Sequence, residues 1–117
     1  MGPYRRLRVW QRSRAFGLTI YRVTKAFPAD ERFGIVSQVR RAALSVSTNI
    51  VEGSRRAGRQ DLAHFLNIAE SSAAEAGHLI EFSRDLGYLP APDAERLMDE
   101  ADALVAMLYR LRRRLNP

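Results

Sequence analysis

An all-α fold, an antiparallel up-down four-helix bundle, follows from three features of the 117-residue sequence. Apolar residues recur at three- and four-residue spacing through four long segments. No stretch alternates with period two for long enough to make a strand. The breaks between segments are short and carry the Gly and Pro that end helices.

The first helix is expected over about 9–27, where Phe16, Ile20, Val23 and Phe27 make one stripe and Phe27-Pro28 ends it. A second is expected over about 32–56, with Val36, Val39, Ala43, Val46 and Ile50 facing inward. Leu44 and Val51 widen its apolar arc to roughly half the wheel. The third, about 59–86, opens with Gly58 as N-cap and Asp61 at N3, where a carboxylate suits the helix dipole. Its stripe is Leu62, Leu66, Ala69, Ala73, Ala76 and Ile80, and Gly87 fits the left-handed residue that closes a helix. The fourth, about 93–115, follows Pro90 and Pro92 and runs through Leu97, Ala101, Leu104, Leu108, Leu111 and Leu115. One domain over 1–117 holds all four.

Apolar and aromatic side chains off these stripes, with small residues on nearly every side of 69–77, call for a second buried face. Self-association is therefore expected, with Leu44 and Phe82 as candidate interface residues.

Charge is unevenly placed. The formal net charge is +6, carried by eighteen arginines and a single lysine. Residues 1–59 hold 13 basic and 3 acidic side chains, residues 60–109 hold 2 and 10, and 110–117 add four arginines. Such asymmetry fits an anionic partner or pairing between parts of an assembly. Arginine rather than lysine fits bidentate phosphate contact. The sequence has no cysteine, no signal-like apolar run at its start and no stretch near the ~20 apolar residues of a membrane span, so a cytoplasmic protein without disulfides or thiolate metal sites is expected.

Residues 53–60, GSRRAGRQ, resemble a phosphate-binding loop only superficially. Such a loop follows a strand, whereas this one follows a helix, and Arg59 and Gln60 stand where a lysine and a hydroxyl are needed. The stretch is a glycine-bounded turn with three arginines beside the free N–H groups of the third helix. Asp61-x-x-His64 and Glu75-x-x-His78 have di-iron-like spacing, but both lie on one helix and off its inward stripe, so surface histidines and no metal are expected. No serine has a context that would activate it, and neither enzyme activity nor a cofactor is expected. Gln38, Arg41, Ser45, Asn49 and Glu52 run along the back of the second helix as a polar seam against a neighbouring helix or subunit.

In an up-down bundle one end collects Arg5, Arg6, Arg8, Arg12, Arg14, Arg55, Arg56, Arg59, Arg110, Arg112, Arg113 and Arg114, with only Glu52 and Asp61 as nearby acids. A nucleic-acid-binding accessory protein is the reading this favours. The alternative is a scaffold docking an acidic protein or an anionic surface. With only Tyr4, Trp10 and Tyr109 near that end, phosphate contact is expected to outweigh base stacking.

The stretches 28–56 and 61–89 resemble a family of small four-helix-bundle proteins encoded in intervening sequences of bacterial 23S ribosomal RNA genes. The matching positions are Pro28, Glu31, Gly34, Gln38, Arg40, Arg41, Ala42, Ser45, Asn49, Ile50, Glu52 and Gly53, then Phe65, Leu66, Ile68 and Ala69, then Gly87, Tyr88 and Leu89. Val51 replaces the usual Ala, and Ser71-Ser72 stands where many members have Gly-Ser. The resemblance implies a homopentamer. It also implies kinship with the accessory variability-determinant protein of diversity-generating retroelements, a basic pentamer that binds nucleic acid and a reverse transcriptase.

Overall fold

A computed structural model describes residues 3–115. A 3-10 turn over Pro3–Arg6 leads into α1 (Arg8–Val23), and 3-10 turns over Thr24–Ala26 and Ala29–Glu31 lead on to α2 (Ile35–Ser54), α3 (Arg59–Asp85) and α4 (Ala91–Leu115). These four α-helices, with no strand among the described residues, form a helical bundle measuring 43 × 24 × 20 Å. A helix of 25 residues is about 37 Å long, so each of the two longest spans most of the molecule.

Helix ends follow local chemistry. Phe27 precedes a proline and is extended (φ −68°, ψ 155°), which stops the first helical run. The second helix was expected from residue 32, yet α2 starts at Ile35. Residues 29–31 form their own 3-10 turn, and Gly34 (φ −103°, ψ −118°) makes the entry. α2 ends at Ser54 rather than 56. Gly87 takes the left-handed conformation (φ 81°). Tyr88 N–H donates to Ser83 C=O (3.0 Å) and Gly87 N–H to Arg84 C=O (2.9 Å), the paired bonds of a Schellman close. α4 begins at Ala91, earlier than expected, because Pro92 sits in the first turn, where its missing N–H has no partner to lose.

The core takes side chains from every helix. Phe16 and Ile20 of α1, Val39, Val46 and Ile50 of α2, Leu66 and Ile80 of α3, and Leu104 and Leu108 of α4 are almost fully buried. Small residues set the closest approaches: a Cβ added at Gly77 would lie 3.2 Å from Ala101 Cβ, and one at Gly53 3.0 Å from Phe65 Cβ. Four hydroxyl residues are buried, and three of them bond back to the preceding turn while Ser72 meets Ser45. Ser13 donates to Trp10 C=O (2.9 Å), Thr24 to Ile20 C=O (2.7 Å) and Ser83 to Leu79 C=O (2.8 Å). Each is satisfied within its own helix, so its burial costs little. No helix among the described residues is long and apolar enough to cross a membrane.

Candidate nucleic-acid interface

Contacts between helix ends decide which arginines meet. The start of α1 packs against the end of α4, where Leu7, Arg8 and Val9 face Met107, Arg110, Leu111 and Arg114 across a cleft of about 280 Å³. The end of α2 meets the start of α3, with the Arg56 guanidinium 4.9 Å from the Phe65 ring centre. α4 is joined to α3 near its end by Arg112 Nε, which donates to Glu70 Oε1 at 3.1 Å. The 3-10 turn before α1 also contacts α2. The arginine-bearing start of α1 and end of α4 thus lie together, with α2 reached through the 3-10 turn and α3 through Glu70.

The twelve arginines divide into two groups. Arg12 donates to Glu100 through Nε (3.0 Å) and Nη2 (2.6 Å), and its Nη1 reaches Met107 Sδ at 3.4 Å. The hydrogen bonds it donates to Glu100 hold the Arg12 guanidinium even more firmly protonated than usual. Arg56 pairs with Glu52 (3.3 Å) and Arg112 with Glu70. Among the described residues no carboxylate pairs with the other nine: Arg5, Arg6, Arg8, Arg14, Arg55, Arg59, Arg110, Arg113 and Arg114. All nine are exposed.

Two expectations need correction here. Glu52 and Asp61 are not the only acids near this end, because Glu70 and Glu100 reach in from α3 and α4 and each holds an arginine. Arg14 lies along the α1–α2 groove with Trp10, Leu18, Tyr21 and Leu44 rather than at the helix end.

Aromatic rings at this end are already engaged. The Arg5 guanidinium lies 5.4 Å from the Tyr4 ring and 5.6 Å from Trp10, and those rings meet edge to face at 5.0 Å. Arg112 and Arg113 flank the exposed Tyr109 at 5.4 and 6.0 Å.

The polar strip of α2 splits in three. Asn49 Nδ2 donates to Ser45 C=O (2.8 Å) and Ser45 Oγ (2.9 Å), and Ser45 Oγ meets Ser72 Oγ of α3 at 2.8 Å. Glu52 turns to Arg56. Gln38 and Arg41 are exposed beside Glu75 in a hollow of about 390 Å³. Leu44 and Phe82 are each about half exposed, and Phe33, next to α2, is 85% exposed. His64 and His78 are exposed beside Phe65 and Phe82, and no cluster of three metal-ligating side chains occurs among the described residues.

A family model described as 23S rRNA-intervening sequence protein matches residues 5–110. Among solved structures, a protein of unknown function from the S23 ribosomal protein family of Bacteroides thetaiotaomicron VPI-5482 is similar at 23% identity. The match covers 90% of this chain and 95% of that one, with a TM-score of 0.83. At that identity the likeness is one of fold. No curated protein matches the chain.

Proposed function

The chain belongs to the 23S rRNA-intervening sequence protein family, and on that premise we propose that it is a non-enzymatic, oligomeric accessory protein that binds RNA or DNA through phosphates. The observation that carries the reading is the group of nine exposed arginines that have no carboxylate partner among the described residues, most of them at or near helix ends. Guanidiniums so placed repel one another unless an anion sits among them. Phosphate is the anion whose geometry suits their forks.

The reading takes 1–117 as one antiparallel up-down domain. Supporting it is the order of cross-helix contacts: Ser45 with Ser72 but Gly53 with Phe65, and Gly77 with Ala101 but Glu70 with Arg112. Residue numbers rise along one helix as they fall along its neighbour.

Self-association forms part of the same proposal. Leu18, Tyr21 and Leu44 expose one apolar patch between α1 and α2, and Phe82 with Leu86, the residue just after α3, exposes more apolar surface at the end of that helix. Two different patches on one protomer suit head-to-tail contacts that close into a ring. A pentamer is the ring that the family resemblance favours, and a retroelement-like accessory role would follow the same kinship.

A gel-shift titration of the protein with labelled RNA and with labelled duplex DNA at about 50 mM salt tests the reading. Binding of either, weakening steeply with salt, is the expected result. Absence of any shift overturns nucleic-acid binding and leaves a scaffold for an acidic partner. Light scattering that gives the mass of one chain at micromolar concentration overturns the oligomer.

A further inference from the structure

We propose that the cleft between the start of α1 and the end of α4 seats an unpaired nucleobase, so that the basic end takes single-stranded RNA or DNA in preference to duplex. The proposal rests on the phosphate-binding reading above and names the class of nucleic acid it serves.

The cleft combines two kinds of surface. Its apolar floor is Leu7, Val9, Met107 and Leu111, of which Val9 is buried and the others half-buried. Arg8, Arg110 and Arg114 stand exposed around that floor. The volume of about 280 Å³ is close to the lower end of small-ligand pockets, about 300 Å³. Part of the floor is held in place. Arg12 Nη1 contacts Met107 Sδ at 3.4 Å while the rest of that guanidinium is fixed by Glu100.

A duplex offers a basic surface its phosphates and sugars and keeps its base faces stacked inside, so it has nothing to place on an apolar floor. A single strand has both partners: flat base faces for the floor and a phosphate on either side for the guanidiniums. The planar guanidinium itself stacks on a base. A smaller hollow of about 210 Å³ between the end of α1 and the start of α2 also sets Lys25, Arg32 and Arg40 around Phe27 and Val36, but it lies away from the clustered arginines. Two further hollows lack the combination. The one beside Gln38 and Arg41 mixes charges, with Glu75 against Arg41. The α1–α2 groove has Arg14 as its single cation.

The test compares three strands of equal length by fluorescence anisotropy at low salt: single-stranded oligothymidylate, the same phosphate chain made of abasic units, and a duplex. We expect oligothymidylate to bind about tenfold more tightly than the abasic strand, in keeping with the usual worth of stacking one base. Met107→Gln, which makes the floor polar at nearly the same size and without a change of charge, should shrink that advantage and change abasic binding far less, with circular dichroism confirming helix content. The abasic comparison stands alone if that variant does not fold. Equal affinity for the thymidylate and abasic strands overturns the base seat while leaving phosphate binding in place. An advantage that survives undiminished in a folded Met107→Gln also overturns it. A duplex bound more tightly than oligothymidylate overturns the strand preference. Failure of all three strands to bind overturns the parent reading and this one together.

Discussion

Arg12 of α1 and Glu100 of α4 meet fork to fork, with Nη2–Oε1 at 2.6 Å and Nε–Oε2 at 3.0 Å. The pair ties two helices that are far apart in sequence, and it removes one arginine from the set free to meet phosphate. Each side chain is still about a third exposed, so the pair belongs with surface ion pairs of good geometry. Glu100→Ala should cost about 1 kcal/mol, near the upper end for such pairs. The same change frees a guanidinium, so nucleic-acid affinity at low salt should rise as the melting temperature falls. Calorimetry and a salt titration on the same sample read the two opposed changes.

Gly53 lies in the last turn of α2, where an alanine would ordinarily favour the helix by up to about 1 kcal/mol. Packing reverses the expectation. A Cβ there would lie 3.0 Å from both Phe65 Cβ and Leu62 Cδ1. The leucine tip can swing away, but Phe65 Cβ moves only with the α3 backbone. Gly53→Ala is therefore expected to destabilise by about 1–2 kcal/mol, within the usual range for overpacking. Gly17→Ala, inside α1, is the control, because a Cβ there meets only Ala43 C=O at 3.9 Å, an ordinary contact. Urea midpoints of the two variants should move by clearly different amounts.

Much of the architecture was legible because the stripe residues of all four helices keep three- and four-residue spacing, and periodicity reports burial directly. Val39, Val46, Leu66, Ile80, Leu104 and Leu108 are buried as that spacing required. Ser13, Thr24 and Ser83 were not legible as core, since a hydroxyl reads as polar until its bond to the preceding turn is seen. The arginine clusters were visible as composition. Their division was not: Arg12 and Glu100 are 88 residues apart, and no local spacing announces that pair. The cleft beside Met107 is likewise a product of how two distant helix ends meet.

Tyr88 links the residues after α3 to those before α2, donating its hydroxyl to Glu31 Oε2 at 2.8 Å beside Phe27. The hydrogen bond to Glu31 raises its pKa above the ordinary 10, with burial and the negative charges of Glu31 and Asp30 adding in the same direction. The folded state therefore favours the protonated phenol. That contribution is complete below the unfolded value of 10 and disappears as pH rises through the higher folded value. Tyr88→Phe should melt below the wild type at neutral pH, and the gap should narrow as the solution is made strongly alkaline. Melting curves collected from about pH 8 to 11 check this, and a constant gap would rule out the ionisation.

The three arginines of the α2–α3 corner should not contribute equally to phosphate binding. Arg56 is held by Glu52 at 3.3 Å and lies over Phe65, whereas Arg55 and Arg59 are exposed without a carboxylate partner among the described residues. A guanidinium that keeps its own carboxylate displaces few counterions when it meets nucleic acid. Each free one that contacts a phosphate adds about 0.9 to the slope of log affinity against log salt on duplex DNA, or about 0.7 on a single strand. Losing Arg55 and Arg59 together should therefore flatten the slope by about 1.4 to 1.8. Arg56→Ala should change it by well under one unit. Affinity should fall alike for unrelated sequences, because phosphate contacts position a strand without reading it. Helix content should be preserved in all of these variants, since Arg55 caps α2 and Arg59 opens α3 with side chains in solvent. If the slope is unchanged in the double variant while the wild type still binds, the corner is only a turn. Phosphate contact would then fall to the arginines of the 3-10 turn before α1 and to those at the end of α4.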